Sequence, residues 1–286
     1  MRVGVVIAVL AAVVAFAGAA HAAPRFAALG DSYAAGPLIP LPLPPFGCLK
    51  SSSNYGRLAQ LRLHYAEYRD ATCSGAETED MTAPQNVSPR PNPPQFDALS
   101  ADTALVTVTI SGNDIGFSSI AQDCISLAPS TGSPCRDKYV VGGADEISRR
   151  IAETAPKVAA MLGAIRARSP SARVLVVNYS AIFPHSGPGC YPTMPVADGD
   201  VPWMRAKQEE LNAMLAEQAA AGGARLVDVY AASAGHDACA PPGVRWVEPV
   251  IPVNPAAPIH PNAAGMQGMA QAILMAMAAP AVASIQ

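Results

Sequence analysis

The sequence predicts an α/β fold: a three-layer α/β/α sandwich in which helices cover both faces of a mostly parallel sheet. Short apolar runs alternate along the chain with longer segments of helical periodicity, a pattern typical of parallel strands joined by crossover helices. The 286 residues are enough for one such domain with a well-buried core. No internal repeat or domain boundary interrupts the pattern, so we expect residues 23–286 to form one domain.

Four short apolar runs are predicted to be buried strands. Ser32 follows the end of the first run closely, and Asn113 follows the end of the second. Because parallel sheets bind ligands beyond the carboxyl ends of their strands, we expect these two residues to converge on one edge. The four predicted strands are Arg25 to Leu29, Ala104 to Ile110, Arg173 to Tyr179 and Arg225 to Tyr230.

Helical patterns lie between the predicted strands. Apolar residues recur at steps of three and four from Ile147 to Ile165, which marks one face of a helix. The last helix is expected to begin with Pro261, because proline suits the first helical turn. Two further helices are predicted over Asn54 to Tyr65 and Val201 to Ala221.

The composition excludes several classes of function. The net charge is −3 and only 14% of the residues are charged, so no basic surface for nucleic acid is expected. The sequence contains no Walker loop, dinucleotide fingerprint or H-E-x-x-H motif, so no metal or cofactor is implied. The G-x-S-x-G elbow of α/β-hydrolases is also absent. We expect the protein to be a monomer.

Residues 1–22 are interpreted as a secretory signal peptide. Arg2 precedes an apolar run from Val3 to Ala20, and a small-x-small cleavage site ends at Ala22. The alternative is an uncleaved membrane anchor, because the run is long enough to span a bilayer. In an exported chain an even number of cysteines favours disulfides, with neighbours in sequence as the default pairing. The six cysteines are Cys48, Cys73, Cys124, Cys135, Cys190 and Cys239.

One serine and one histidine are candidates for nucleophilic catalysis. A serine hydroxyl needs a neighbouring base, and histidine is the usual base near neutral pH. Ser32 stands at a strand end, and prolines near His260 fix the direction of that residue. His64 falls in a helical pattern and is interpreted as structural. His185 and His236 lie in loops and remain candidates to line a cleft.

Four short motifs occur in a fixed order along the chain. They are Gly30-Asp31-Ser32-Tyr33, Cys73-Ser74-Gly75-Ala76, Gly112-Asn113-Asp114 and His260-Pro261-Asn262. Together they resemble the four blocks of the GDSL, or SGNH, hydrolase family. Each motif alone is weak, but the four share the order, spacing and strand-end placement of that family. The resemblance covers nearly the whole mature chain and implies a secreted serine carboxylic ester hydrolase, of the esterase or lipase type.

The resemblance also implies the roles of individual residues. Ser32 corresponds to the nucleophile that forms the acyl-enzyme, and His260 to its general base. The oxyanion donors correspond to the backbone N–H groups of Ser32 and Gly75 and the side-chain amide of Asn113. Taken alone, Gly75 and Asn113 would each be interpreted as ordinary turn residues. Asp31 and Asp114 are expected to orient loops by accepting backbone N–H bonds.

Two positions depart from the family's pattern. Tyr33 replaces the leucine of the first block and is expected only to pack. The family's acid usually lies three residues before the histidine, where this chain has Ala257. Similar secreted actinobacterial esterases and lipases use a Ser–His dyad, which implies that a backbone carbonyl near Ala257 orients His260. The alternative acids are Glu248, Asp228 and Asp237.

The same secreted branch implies three disulfides, Cys48–Cys73, Cys124–Cys135 and Cys190–Cys239. The first would tie the loop after Ser32 to the segment that holds Gly75. We expect an ester substrate and transient contact with lipid surfaces, while lipid, phospholipid, acetylated glycan and short synthetic esters all remain open. The apolar loop from Pro37 to Phe46 either contacts an acyl chain or is a stiff surface loop.

A different class of function also remains open. The chain would then be a catalytically inactive secreted protein that keeps the hydrolase fold and binds lipid or glycan. Ala257, in place of the usual acid, is the one feature that favours this alternative.

Overall fold

Nine strands form one large sheet and two small pairs in the computed structural model, which describes residues 24–279. The interpretation of residues 1–22 as a signal peptide falls outside these residues. The strands are β1 (Arg25–Gly30), β2 (Pro42–Leu43), β3 (Lys50–Ser51), β4 (Glu67–Asp70), β5 (Thr103–Thr109), β6 (Val140–Val141), β7 (Ala144–Asp145), β8 (Arg173–Val177) and β9 (Arg225–Val227). The large sheet has the order β4-β1-β5-β8-β9 with every pair parallel, whereas β2 with β3 and β6 with β7 are antiparallel.

Helices cover both faces of this sheet. The pair α2 and α8 packs together on one face, and the pair α5 and α6 packs on the other. This arrangement confirms the predicted three-layer α/β/α sandwich. The helices are α1 (Ser32–Ala35), α2 (Tyr55–Leu63), α3 (Phe117–Asp123), α4 (Pro134–Tyr139), α5 (Glu146–Arg168), α6 (Val201–Ala221), α7 (Val229–Ala232) and α8 (Ala263–Ala278), with 3₁₀ turns at Phe46–Cys48, Thr78–Met81 and Gln95–Ala98.

The central strands are buried on both faces, which explains their continuous apolar runs. In β1, Phe26 and Ala28 belong to the apolar cluster that contains α2 and α8. Ala27 and Leu29 point to the opposite face and belong to the cluster that contains α5 and α6. Successive side chains of a strand alternate between faces, so each layer of helices buries every second residue. The sheet is thereby a rigid platform for the loops at its edges.

Several elements and boundaries differ from the sequence prediction. β4 was not predicted, because an edge strand that pairs on one side only tolerates charged residues such as Glu67 and Asp70. β9 ends at Val227 instead of Tyr230, because the Asp228 side chain accepts the Ala231 N–H and caps α7. α8 begins at Ala263 instead of Pro261.

The start of α8 is set by an N-cap. The Asn262 side chain accepts the Gly265 N–H, which is the bond that defines an N-cap. Pro261 therefore precedes the helix and forms a β-bridge with Val247. This bridge holds the loop that carries His260 (the histidine loop) against Val247, just before α8 begins.

The structure joins the six cysteines in the three pairs that the resemblance implies, Cys48–Cys73, Cys124–Cys135 and Cys190–Cys239. Beside the first, the Ser74 N–H donates to the Cys48 carbonyl at 3.0 Å, so the loop after α1 is fixed to the segment after β4. Three disulfides fit a protein exported to an oxidising compartment. Within residues 24–279, no helix is both long and apolar enough to cross a membrane.

Candidate active site

The candidate site lies at the carboxyl edge of the sheet. The chain leaves β1 toward β4 on one side and then returns to β5 on the other, which makes this edge a topological switch point. Ser32 is the first residue after the β1 turn, Asn113 follows β5, and His260 lies in the loop before α8. These three residues line one cavity. Gly75 lies in the turn after β4, outside the lining of that cavity.

Ser32 and His260 are joined by a hydrogen bond. His260 Nε2 lies 2.7 Å from Ser32 Oγ, and His260 Nδ1 lies 2.7 Å from the Pro258 carbonyl oxygen. A carbonyl oxygen can only accept, so Nδ1 carries the proton and Nε2 is left to accept from the serine hydroxyl. The backbone therefore selects the tautomer that a general base requires. The carbonyl belongs to Pro258, one residue after Ala257.

The surroundings of His260 favour its neutral form. Desolvation by burial lowers the pKa of the imidazole below its ordinary value of 6.5, and the hydrogen bond to the Pro258 carbonyl acts in the opposite direction. The net pKa is lowered. The ring is therefore neutral and able to accept a proton at neutral pH.

The three alternative acids contact other groups. Glu248 is fully buried and accepts from the Val253 N–H at 2.8 Å and from the side-chain amides of Asn254 and Asn262 at 2.8 and 2.7 Å. Burial acts to raise the pKa of Glu248, but these hydrogen bonds outweigh it and the pKa is lowered. Asp228 caps α7. Asp237 accepts the Cys239 N–H.

Glu248 holds the histidine loop by its backbone. Its own N–H donates to the His260 carbonyl at 2.9 Å. Its carboxylate accepts hydrogen bonds from Val253 and Asn262, which lie before and after His260 along the chain. A buried carboxylate without these donors would carry a large desolvation cost. The side chain that sequence reasoning kept as an alternative acid is thus a positioning group for the loop.

Three N–H groups are candidates for an oxyanion hole. Ser32 occupies the first turn of α1, where backbone N–H groups have no intrahelical partner. One N–H of the Asn113 amide donates to the Ala76 carbonyl at 2.9 Å, which leaves its second N–H for another acceptor. Gly75 has φ = +81°, a conformation that favours glycine.

Gln85, which sequence reasoning missed, orients the peptide before Gly75. Its side-chain amide donates to the Ser74 carbonyl at 2.9 Å. In a trans peptide the C=O and N–H bonds point in opposite directions, so this bond directs the Gly75 N–H away from Gln85. No local sequence signal marks Gln85, because it reaches the peptide from a loop 11 residues further along the chain.

Tyr179 joins the first and third motifs. Its hydroxyl donates to the Asp31 carboxylate at 2.5 Å and accepts the Gly112 N–H at 2.7 Å. Asp31 also accepts the Tyr33 N–H at 2.9 Å, which is the loop-orienting role expected for it. Burial raises the pKa of Asp31 to about 7. Asp114 likewise accepts the N–H of Thr78 and ties the third motif to the 3₁₀ turn after Gly75.

Tyr33 does more than pack, so that expectation is wrong. Its hydroxyl donates to the Ile259 carbonyl at 2.8 Å, next to the histidine. The ring lies 5.1 Å from the His260 ring and 5.0 Å from the Tyr179 ring, between centroids. Tyr33 therefore connects the turn that carries Ser32 to the loop that carries His260, at a position where a leucine could only make apolar contacts.

The other three histidines of residues 24–279 lie away from this cavity. His64 ends α2 in the left-handed conformation, in keeping with a structural residue. His185 stacks on Tyr230 and His236 stacks on Trp246, at ring centroid distances of 4.4 and 4.7 Å. Among residues 24–279, no group of three or more His, Cys, Asp or Glu side chains is arranged to hold a metal ion.

A parallel α/β/α sandwich with its motif serine, asparagine and histidine around one cavity at the carboxyl edge defines the SGNH class of hydrolases. The chain belongs to the GDSL-like lipase/acylhydrolase family, whose sequence profile matches residues 28–267. Membership of this family, together with relatives named as lipases and an esterase, identifies the protein as a carboxylic ester hydrolase.

Two relatives and two solved structures illustrate the similarity. Lipase 2 of Streptomyces coelicolor is 40% identical over 266 residues and 88% of both chains, and Lipase 1 of the same organism is 30% identical over 269 residues and 91% of both. The extracellular lipase of Streptomyces rimosus superposes with a TM-score of 0.74 at 26% identity, over 89% of this chain and 100% of that one. Phospholipase A1 of Streptomyces albidoflavus gives 0.73 at 26% identity, over 89% and 99%.

Proposed function

We propose that the protein hydrolyses carboxylic esters through an acyl-enzyme on Ser32, with His260 as general base in a Ser–His dyad. The observation that carries this proposal is the 2.7 Å hydrogen bond between Ser32 Oγ and His260 Nε2. His260 takes the hydroxyl proton as Oγ attacks the ester carbonyl, and the imidazolium then protonates the departing alkoxide. Water releases the acid by the same proton transfers in reverse.

The negative charge of the tetrahedral intermediate is proposed to bind the Ser32 N–H, the Gly75 N–H and the free N–H of Asn113. Preorganised donors of this kind are usually the largest electrostatic contribution to acyl transfer. The Pro258 carbonyl, which is neutral, stabilises the imidazolium less than a carboxylate would. The oxyanion donors consequently account for more of the rate acceleration in a dyad.

The cavity beside Ser32 supports a substrate with an aliphatic acyl chain. It encloses about 80 Å³, several times the 10–15 Å³ that one water molecule requires, so it has room for part of a chain. Nine of the nineteen residues that line it are apolar, and Tyr33 and Tyr179 add aromatic rings, which together favour hydrocarbon over a sugar ring. The apolar lining consists of Ile115, Phe117, Ile120, Ile147, Ile182, Phe183, Trp203, Met204 and Leu211.

The proposed enzyme acts as a secreted monomer. The three disulfides support export, with residues 1–22 removed as a signal peptide and residues 23–286 as the hydrolase domain. A monomer suffices, because Ser32, Asn113 and His260 of one chain line the cavity together.

A fluorophosphonate probe and a series of p-nitrophenyl esters test the proposal. The probe is expected to label the oxidised protein on the Ser32 peptide, as identified by mass spectrometry, and the ester series should favour acyl chains longer than acetyl. Ser118, which lines the same cavity, is the internal control and should stay unlabelled. A protein that neither reacts with the probe nor hydrolyses any ester would instead be the inactive binding protein.

The lowered pKa of His260 predicts the acid limb of the pH profile. Protonation of Nε2 removes the base, so kcat/KM should fall as the pH decreases through the imidazole pKa. Because burial lowers that pKa, the midpoint is expected below 6.5. Measurements of kcat/KM from pH 4.5 to 8 with a p-nitrophenyl ester would show it. A midpoint clearly above 6.5 would contradict the assignment of a desolvated, carbonyl-bound histidine.

Replacing Asn113 with alanine is expected to lower kcat by roughly 10²–10³-fold, the usual effect of removing one oxyanion donor. KM should change little, because the developing charge exists only in the transition state. Thermal unfolding provides the control for the lost bond to the Ala76 carbonyl. An increase in KM alone, with kcat unchanged, would place Asn113 in ground-state binding.

A further inference from the structure

Two segments that flank the candidate site carry no Asp, Glu, Lys or Arg. One is residues 36–49, directly after α1, and the other is residues 249–262, which end just past His260. Each contains five prolines in 14 residues, which stiffens the backbone. We call these two segments the uncharged rim.

The uncharged rim exposes large apolar side chains. Six of the twelve large apolar residues that are exposed within residues 24–279 lie in it. Single exposed apolar residues are normal on a protein surface, but a concentration of them in two short segments indicates an interaction site. The six are Leu38, Leu41, Phe46, Leu49, Ile251 and Val253, with exposures of 59%, 70%, 62%, 44%, 81% and 65%.

The two segments are joined to each other and to the catalytic residues. The Ala257 N–H donates to the Pro37 carbonyl at 3.0 Å, and Ile39 and Ala256 belong to one buried cluster. Ser32 begins the helix that leads into the first segment, and His260 belongs to the second. Both segments are therefore loops of the catalytic edge, and neither belongs to the opposite edge of the sheet.

We infer that the uncharged rim is a docking surface for a lipid aggregate with an uncharged or zwitterionic surface. This inference rests on the proposed function, since a lipid ester docked on the rim would lie beside the segments that adjoin Ser32 and contain His260. Apolar side chains on rigid loops can leave water by entering the boundary between headgroups and acyl chains. Anionic membranes, by contrast, attract clusters of Lys and Arg, and the rim has none.

Flotation with phosphatidylcholine vesicles tests the inference, with diether lipids so that no ester is hydrolysed. Wild type is expected to float with the vesicles, and equally at 0.05 and 0.5 M NaCl, because apolar insertion is not screened by salt. Leu41→Glu/Phe46→Glu should lower the partition coefficient at least tenfold, since each large apolar side chain withdrawn from water contributes about a tenfold change. Hydrolysis of p-nitrophenyl acetate, which is soluble in water, should remain unchanged.

Leu61→Glu is the matched control. Leu61 is 52% exposed near the C-terminal end of α2, and this end leads into a parallel strand, so it lies at the opposite edge of the sheet. Its vesicle binding should equal that of wild type. Ile251→Glu tests the second segment independently and should also weaken binding, in case the double variant fails to fold.

Several outcomes would overturn the inference. The inference fails if the wild-type protein does not float with the vesicles. It also fails if flotation requires anionic lipid or disappears at 0.5 M NaCl. It fails as well if neither Leu41→Glu/Phe46→Glu nor Ile251→Glu reduces flotation. None of them touches the proposed function, which would fail instead if the wild-type protein neither reacted with the fluorophosphonate probe nor hydrolysed any p-nitrophenyl ester.

Discussion

Ser32→Ala is expected to lower kcat for every ester substrate by on the order of 10⁶-fold, the loss seen when the nucleophile of a serine protease is removed. Without Oγ no acyl-enzyme can form, and the oxyanion donors and the binding cavity alone leave only a small residual acceleration. The hydroxyl's hydrogen bond in the structure is to His260, so the fold should be preserved. Burst and steady-state kinetics with a p-nitrophenyl ester measure the effect.

Ser118→Ala is the control for that experiment, because the same atom is removed from the lining of the same cavity. Its kcat should stay within a few-fold of wild type. If Ser32→Ala retained a tenth or more of the activity while unfolding at the wild-type temperature, the acyl-enzyme on Ser32 would be refuted. A different nucleophile or a directly activated water would then be required.

His260→Ala is the second large effect and should also approach a loss on the order of 10⁶-fold in kcat. The serine would keep its place but lose the base that takes its proton. Because the two side chains act as a unit, the double variant Ser32→Ala/His260→Ala should be no slower than either single variant. Imidazole added to the buffer should restore part of the activity of His260→Ala and none of the activity of Ser32→Ala.

His185→Ala is the matched control, since His185 stacks on Tyr230 outside the cavity. It is expected to keep the wild-type kcat. Additive losses in the double variant would contradict a dyad, because they would mean that Ser32 and His260 contribute to catalysis independently. A change in KM alone for His260→Ala would likewise contradict a dyad.

The parts of the site that lie next to a strand end were predictable. Ser32 and Asn113 follow short apolar runs that are typical of buried parallel strands, and the topology brings the two residues to one edge. The motif order implied His260, and the resemblance to the secreted branch of the family implied the disulfide pairs. Gly75 was implied by its motif, and its positive φ gives the physical reason for a glycine there.

The residues that position the site were not predictable. Gln85, Tyr179 and Glu248 act through hydrogen bonds to backbone or carboxylate groups that lie 11 or more residues away along the chain. Tyr33 was assigned to packing because its hydroxyl partner, the Ile259 carbonyl, is 226 residues away. The edge strand β4 was not predicted for a related reason. Its residues pair with β1 on one side and face solvent on the other, so they do not form a continuous apolar run.

The sequence by itself determined the alternation of strands and helices, the sheet edge that carries Ser32 and Asn113, and the candidate pair Ser32 and His260, because periodicity and short motifs are local properties of a chain. Only the tertiary structure decided what replaces the absent acid. The imidazole is oriented by the Pro258 carbonyl, and the loop that carries it is held by Tyr33 and Glu248. Those contacts depend on distances between segments far apart along the chain, and such distances exist only once the core has packed.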